Sequence, residues 1–196
     1  MKSAEERLET LEDLFKEELK DIYSAEQQII KALPKMIDGS DSEDLRAAFT
    51  DHLEVTREQA RRIEEIMSEM GDDPKGKKCE GMEGLLKEGD ELLQMEGSPA
   101  VIDAGLIGAA QRVEHYEIAA YGTARAHAME LGMDDAAELL QQSLTEEEEA
   151  DQTLSAIAER GVNMEAEEGE EAGASRSSSR SSGSGTRRAA ASSKKK

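Results

Sequence analysis

The chain has 196 residues, of which 37% are hydrophobic and only 3% aromatic, with no Trp, so its core must be built from aliphatic side chains, which favours helices over a β-sandwich or barrel. Asp plus Glu number 45 against 24 Lys plus Arg, for a net charge of −21, and a surface of that sign repels phosphate, arguing against nucleic acid as a partner of the folded part. Cys79 is the single cysteine, which excludes an intramolecular disulfide and fits a reducing compartment; the charged first thirty residues and the absence of a membrane-length apolar run predict a cytoplasmic location without membrane contact.

Ser3 and Glu6 have the spacing of a capping box, after which Leu8, Leu11, Phe15, Leu19, Ile22, Ile29, Leu33 and Ile37 recur in steps of three and four, predicting a long amphipathic helix that ends at Asp38-Gly39, with Pro34 as a kink or an early stop. Ser40, Asp41 and Ser42 offer N-caps for a second helix carrying Leu45, Phe49, Leu53, Ala60, Ile63, Met67 and Met70 on one side and stopped by Gly71. A breaker-rich loop at Asp72-Asp73-Pro74 precedes a short helix over about 80–95. Ser98-Pro99 starts a long helix ending at Leu131-Gly132, and Asp134 or Asp135 starts the last, running to Gly161. The 27-residue connection from Gly71 to Gly97 is long enough to traverse a bundle, so the expected fold class is all-α: two antiparallel hairpins joined by a long crossover that contains a short helix, making a four-helix bundle.

The pattern fails after Met164. The predicted division is a helical domain over 1–164 and a disordered tail over 165–196, acidic at first and then rich in Ser, Arg and Lys. Seven basic residues and no acids lie between Ala174 and Lys196, leaving 17 basic against 45 acidic residues, a charge of −28, on Met1 to Gly173. Contact with nucleic acid is therefore confined to the basic stretch 174–196, where salt-sensitive DNA binding that disappears on truncation after Gly173 would reveal it.

At about 100° per residue, most acids fall outside the apolar stripes. Glu26 does not: it continues the first helix's series without a break. Glu114 and Glu117 share the stripe of Leu106, Ile107, Ala110, Tyr121 and Ala128, with His115 facing outward, and Glu147 and Asp151 lie on that of Leu140, Leu144, Leu154 and Ile157. On the second helix His52, Thr56 and Gln59 interrupt the apolar face while Glu54 lies opposite, so His52 is the candidate there. Burying one ionised carboxylate costs several kcal/mol, and five together repel one another unless they are protonated or neutralised. A pair of divalent ions neutralises them, and oxygen-rich ligation with one imidazole suits iron, or manganese. The expected metal ligands are Glu26, His52, Glu114, Glu117, Glu147 and Asp151, supported by hydrogen bonds from Tyr23, Thr56 and Tyr121. The competing reading is a non-enzymatic helical dimerisation or interaction module whose inward acids are protonated, paired or covered at an interface.

The strings Asp21-Ile-Tyr-Ser-Ala-Glu26-Gln, His52-Leu-Glu-Val-Thr56, Lys78-Cys-Glu-Gly-Met82-Glu-Gly-Leu, Ala110-Gln-Arg-Val-Glu114-His-Tyr-Glu117-Ile-Ala-Ala-Tyr-Gly122 and Glu146-Glu147 with Asp151 resemble the YciE/YciF family of ferritin-like bacterial stress proteins over about residues 8–162. The resemblance implies a rubrerythrin-related ferritin-like fold, usually a homodimer, with two iron ions and ferroxidase chemistry, the oxidation of Fe²⁺ by O₂ or peroxide, in a stress response. Ferritin-like di-iron proteins place Glu-x-x-His on two helices, and this sequence departs from that: the nearest equivalent on the second helix is Glu54-Val-Thr-Arg57, and the last has Glu147 and Asp151 at i, i+4.

Overall fold

A computed structural model describes residues 8–168. It contains five α-helices, α1 (Leu11–Gly39), α2 (Glu43–Glu69), α3 (Glu80–Leu93), α4 (Pro99–Glu130) and α5 (Asp134–Ile157), and no strand among the described residues. The helix α1 starts later than the sequence suggests. Ser3 and Glu6 lie outside the described residues, and the capping box is instead made by Thr10, whose Oγ1 accepts from Asp13 N–H at 3.1 Å while the Asp13 carboxylate accepts from Thr10 N–H at 2.9 Å. Pro34 does not stop α1, which runs on to Gly39. The Ser42 hydroxyl caps α2, Pro99 occupies the first turn of α4, and Gly71 and Gly132 take the positive φ values of 72° and 70° that let the chain leave α2 and α4. After α5 the backbone passes through a π-helical turn, Ala158–Val162, and stays helical to residue 168, four residues into the stretch where the hydrophobic pattern predicts disorder. The remainder of the predicted tail, from 169, lies outside the described residues.

The long helices α1, α2, α4 and α5 pack around two apolar clusters, one of which buries Phe15, Leu19, Ile63, Ile66, Tyr121 and Leu140 almost fully and the other Ile29, Leu45, Phe49 and Leu106; each large apolar side chain so buried contributes roughly 1.5–3 kcal/mol. Helix direction follows from cross-helix partners. Between α1 and α4, Glu18 meets His127 and Glu26 meets Tyr121; between α2 and α5, Gln59 meets Glu147 and Arg62 meets Ser143. Both pairs are antiparallel, as are the short-linked hairpins α1–α2 and α4–α5, so α2 and α4 run parallel. The 70–98 connection makes that arrangement, and α3 within it packs on α1 and α4 around Met82. It is tied to α1 by Cys79 N–H donating to Ser24 Oγ at 2.9 Å and by Gln28 Nε2 donating to the Cys79 carbonyl at 3.0 Å.

One buried carboxylate joins the hairpins at the end away from the α4–α5 turn. Asp103 of α4, 2% exposed, accepts from Asp41 N–H at 3.0 Å and from Ser42 N–H at 2.7 Å, supplying negative charge where α2 begins. Asp103→Ala strands these two donors and is expected to cost about 2 kcal/mol, a fall in Tm of roughly 4–8 °C measurable by thermal melting; an unchanged Tm would mean water replaces the carboxylate without loss.

Candidate metal centre

Four helices each send polar side chains into one buried region. His52 of α2, Glu114 and Glu117 of α4 and Glu147 of α5 each bring one ligand atom to within 4.8 Å of the others. The His52 Nε2 lies 3.5 Å from Glu114 Oε2 and 3.9 Å from Glu147 Oε2. Glu26 of α1, fully buried, completes the group: it interacts with Glu117 and Glu147, and its Oε1 accepts from the Tyr121 hydroxyl. Gln59 of α2, also fully buried, donates its Nε2 to Glu147 Oε1.

These contacts leave much unsatisfied. Glu26 Oε2, His52 Nε2, Gln59 Oε1, Glu114 Oε2, both carboxylate oxygens of Glu117 and Glu147 Oε2 are buried with no hydrogen-bond partner. Six of those seven atoms are acceptors by nature, and buried acceptors are ordinarily paired. Burial, followed by the charge on Glu147, pushes the Glu26 carboxyl well above the ordinary range, against the Tyr121 hydrogen bond that lowers it. Burial again comes first for Glu114, followed by Glu147, and for Glu117, followed by Glu26 and Glu147. Tyr121 is itself held protonated by burial and by Glu26. Arg62 of α2, whose charge bears on Glu26, is held by Glu146 through two contacts of 2.6 and 2.7 Å and donates to Ser143 Oγ at 3.0 Å.

The residue types and their environment fit a divalent ion: a cluster of carboxylate oxygens and one imidazole nitrogen, short of donors and inside a low-dielectric interior. Of the residues expected from sequence, Glu26, His52, Glu114, Glu117 and Glu147 meet in this cluster. Asp151 does not join them. Its Oδ1 accepts from Gln111 Nε2 at 2.9 Å and lies 3.5 Å from the outward-facing His115; periodicity places it on the face of Glu147, but one turn further along α5. Tyr121 supports a cluster carboxylate, whereas the Tyr23 hydroxyl donates to Glu64 at 2.7 Å. Thr56 is buried, and its hydroxyl donates to the His52 carbonyl at 2.8 Å, holding backbone rather than ligand. Glu54 points to solvent and pairs with Arg57, so the Glu-x-x-Arg segment lies outside the centre and His52 supplies the inward group of α2. Gln59 was visible only as a polar insertion on an apolar face; nothing local announces its partner 88 residues away, nor that Arg62 would reach Glu146.

The family described as a domain of unknown function, DUF892, matches residues 10–167. Over 161 residues the chain is 44% identical to Protein YciF of Escherichia coli strain K12, covering 82% of this chain and 97% of that protein. The crystal structure of the E. coli stress protein YciF matches with a TM-score of 0.77, covering 80% of this chain and 99% of that one. YcfI from Rhodopseudomonas palustris matches at 45% identity and a TM-score of 0.74, covering 76% of this chain and 96% of that one. No helix among the described residues is long and apolar enough to cross a membrane.

Proposed function

The chain belongs to the DUF892 family and is a relative of YciF, and from that premise we propose that it is a ferritin-like four-helix bundle holding two divalent metal ions, iron foremost, among Glu26, His52, Glu114, Glu117 and Glu147. One observation carries the reading: buried polar atoms without partners, contributed by α1, α2, α4 and α5, converge on a single region. A protein that gained only an interaction surface from these helices would have no use for unpaired carboxylates in its interior, where each costs free energy that an apolar residue would not.

The side chains divide the work. Gln59 and Tyr121 each occupy one oxygen of Glu147 and Glu26 and leave the other oxygen free toward the cluster, which fixes the lone pair a cation would meet. Glu117, with both oxygens unpartnered, would have its whole carboxylate available to hold metal. Glu26, Glu114 and Glu117 give up protons when an ion enters, so uptake is coupled to proton release. A bound pair of iron ions supplies one-electron chemistry with O₂ or peroxide, by which Fe²⁺ as substrate would be oxidised. Asp151, fixed by Gln111, contributes charge from beside Glu114 rather than a ligand atom. The reading extends to a homodimer in a reducing cytoplasm, where the buried thiol of Cys79 stays reduced; sedimentation of the purified protein as a monomer would remove the dimer from it.

The test is metal content of untagged protein given Fe²⁺ without oxygen and then exposed to it, with absorbance recorded. About two irons per chain, lost in Glu26→Ala and Glu147→Ala, with ferric absorbance growing after oxygen, is the expected result. Absence of stoichiometric iron would overturn the metal reading and leave the helical interaction module.

A further inference from the structure

The cluster is buried, yet it has an approach from outside. A cavity of about 270 Å³ opens between α2 and α5 and ends on two cluster members, His52 and Glu114; like the other cluster members they have unpartnered inward atoms, here Nε2 and Oε2, and their side chains are only 10% and 4% exposed. Three acids line its outer part: Asp51, Glu146 and Glu149. Glu146 is neutralised by Arg62. Asp51 and Glu149 are exposed, and among the described residues neither carboxylate forms an ion pair or a hydrogen bond, the Thr153 hydroxyl donating to the Glu149 backbone carbonyl instead. A second space reaches His52 and Glu114 from the α1–α3 side, but at about 40 Å³ it is narrow, its walls are mostly apolar, among them Ile29, Leu33, Met36 and Leu85, and its one carboxylate besides Glu114, that of Asp90, is paired with Lys35, so it offers little to an ion losing its hydration water.

We propose that the cavity between α2 and α5 is the port through which a divalent cation enters, taken from water by Asp51 and Glu149 and passed to His52 and Glu114. The proposal rests on the metal-site reading above and adds a route to it. Two unneutralised carboxylates at a low-dielectric mouth concentrate cations there and speed capture, an effect that salt removes. They are not needed for affinity, because the final site lies deeper. A kinetic role without an equilibrium one is what separates a port from a ligand set.

The experiment uses Co²⁺, whose visible absorption changes when protein ligands replace water, mixed anaerobically with the full chain in a stopped-flow instrument at about 20 mM salt. Asp51→Asn with Glu149→Gln is expected to slow uptake roughly three- to tenfold, and Asp51→Lys with Glu149→Lys further still, with the same final stoichiometry and with rates that converge on the wild type at high salt. Glu88→Gln with Glu130→Gln, two exposed acids that do not line the cavity, should load at the wild-type rate. If the wild type takes up no Co²⁺, the metal-site reading fails and the port falls with it. If the wild type loads and the Asp51 and Glu149 variants load equally fast, the port is wrong and the site stands. If those variants lose stoichiometry, Asp51 and Glu149 are ligands and the port is again overturned.

Discussion

Metal-free protein carrying Glu117→Gln is expected to be more stable than the metal-free wild type by roughly 1–3 kcal/mol near neutral pH, and to have lost stoichiometric metal binding. Glu117 is 1% exposed, neither of its oxygens has a donor, and Glu26, Glu147 and Glu114 all bear on it electrostatically. Glutamine keeps the shape, cannot ionise, and brings an N–H₂ group that the unpartnered oxygens of Glu26, Glu114 and Glu147 can accept from. A residue kept for stability behaves in the opposite way, since removing a buried partner normally costs stability. Thermal melts with and without Fe²⁺ or Mn²⁺ decide it: Glu117→Gln melting higher without metal but gaining nothing from metal is the expected pair of results. A variant that melts lower without metal would show that the carboxyl is already satisfied in the metal-free protein, as a protonated donor, and that the unpaired-acceptor argument overstates its burden.

Periodicity alone was enough to place Glu26, Glu114, Glu117 and Glu147 inside, because each falls in step with long apolar series on well-formed helices and the step fixes the face. Height along the axis is a different quantity. Glu147 and Asp151 share a face one turn apart, and only the packing of α5 against Gln111 of α4 separates the cluster member from its neighbour. His52 was the sequence's choice on α2 because Glu54 falls opposite the apolar face, but polar insertions blur that stripe, and the pairing of Glu54 with Arg57 at the surface agrees with the choice. The Gln59–Glu147 and Arg62–Glu146 contacts join residues more than eighty apart in sequence, and no local signal specifies such a pair. The long crossover was readable because a connection of that length has few topological uses; the start of α1 was not, because two capping motifs, Ser3–Glu6 and Thr10–Asp13, compete within ten residues of each other.

The metal-free protein should become less stable as pH rises from about 5 to 8, the reverse of acid denaturation. Burial and mutual repulsion hold the carboxyls of Glu26, Glu114 and Glu117 well above the usual range, while the same groups in the unfolded chain titrate near 4.3. Across that window the native state therefore carries protons the unfolded state has released, and stability falls with pH by about 1.4 kcal/mol per unit for each extra proton held. It is fully present below the unfolded value and is lost as pH passes up through the native ones. Bound metal inverts this, because the ligands must ionise to bind, affinity rises with pH, and an ion at a hundred times its Kd adds about 2.7 kcal/mol. The gap in Tm between loaded and metal-free protein should accordingly widen from pH 5.5 to 8. Glu117→Gln should flatten the slope of the metal-free protein, which assigns the slope to the cluster rather than to repulsion across an acidic surface. A metal-free wild type whose stability is level over this range would mean its buried carboxyls are ionised and compensated in place, and a gap that does not change with pH would mean that any metal it binds sits elsewhere.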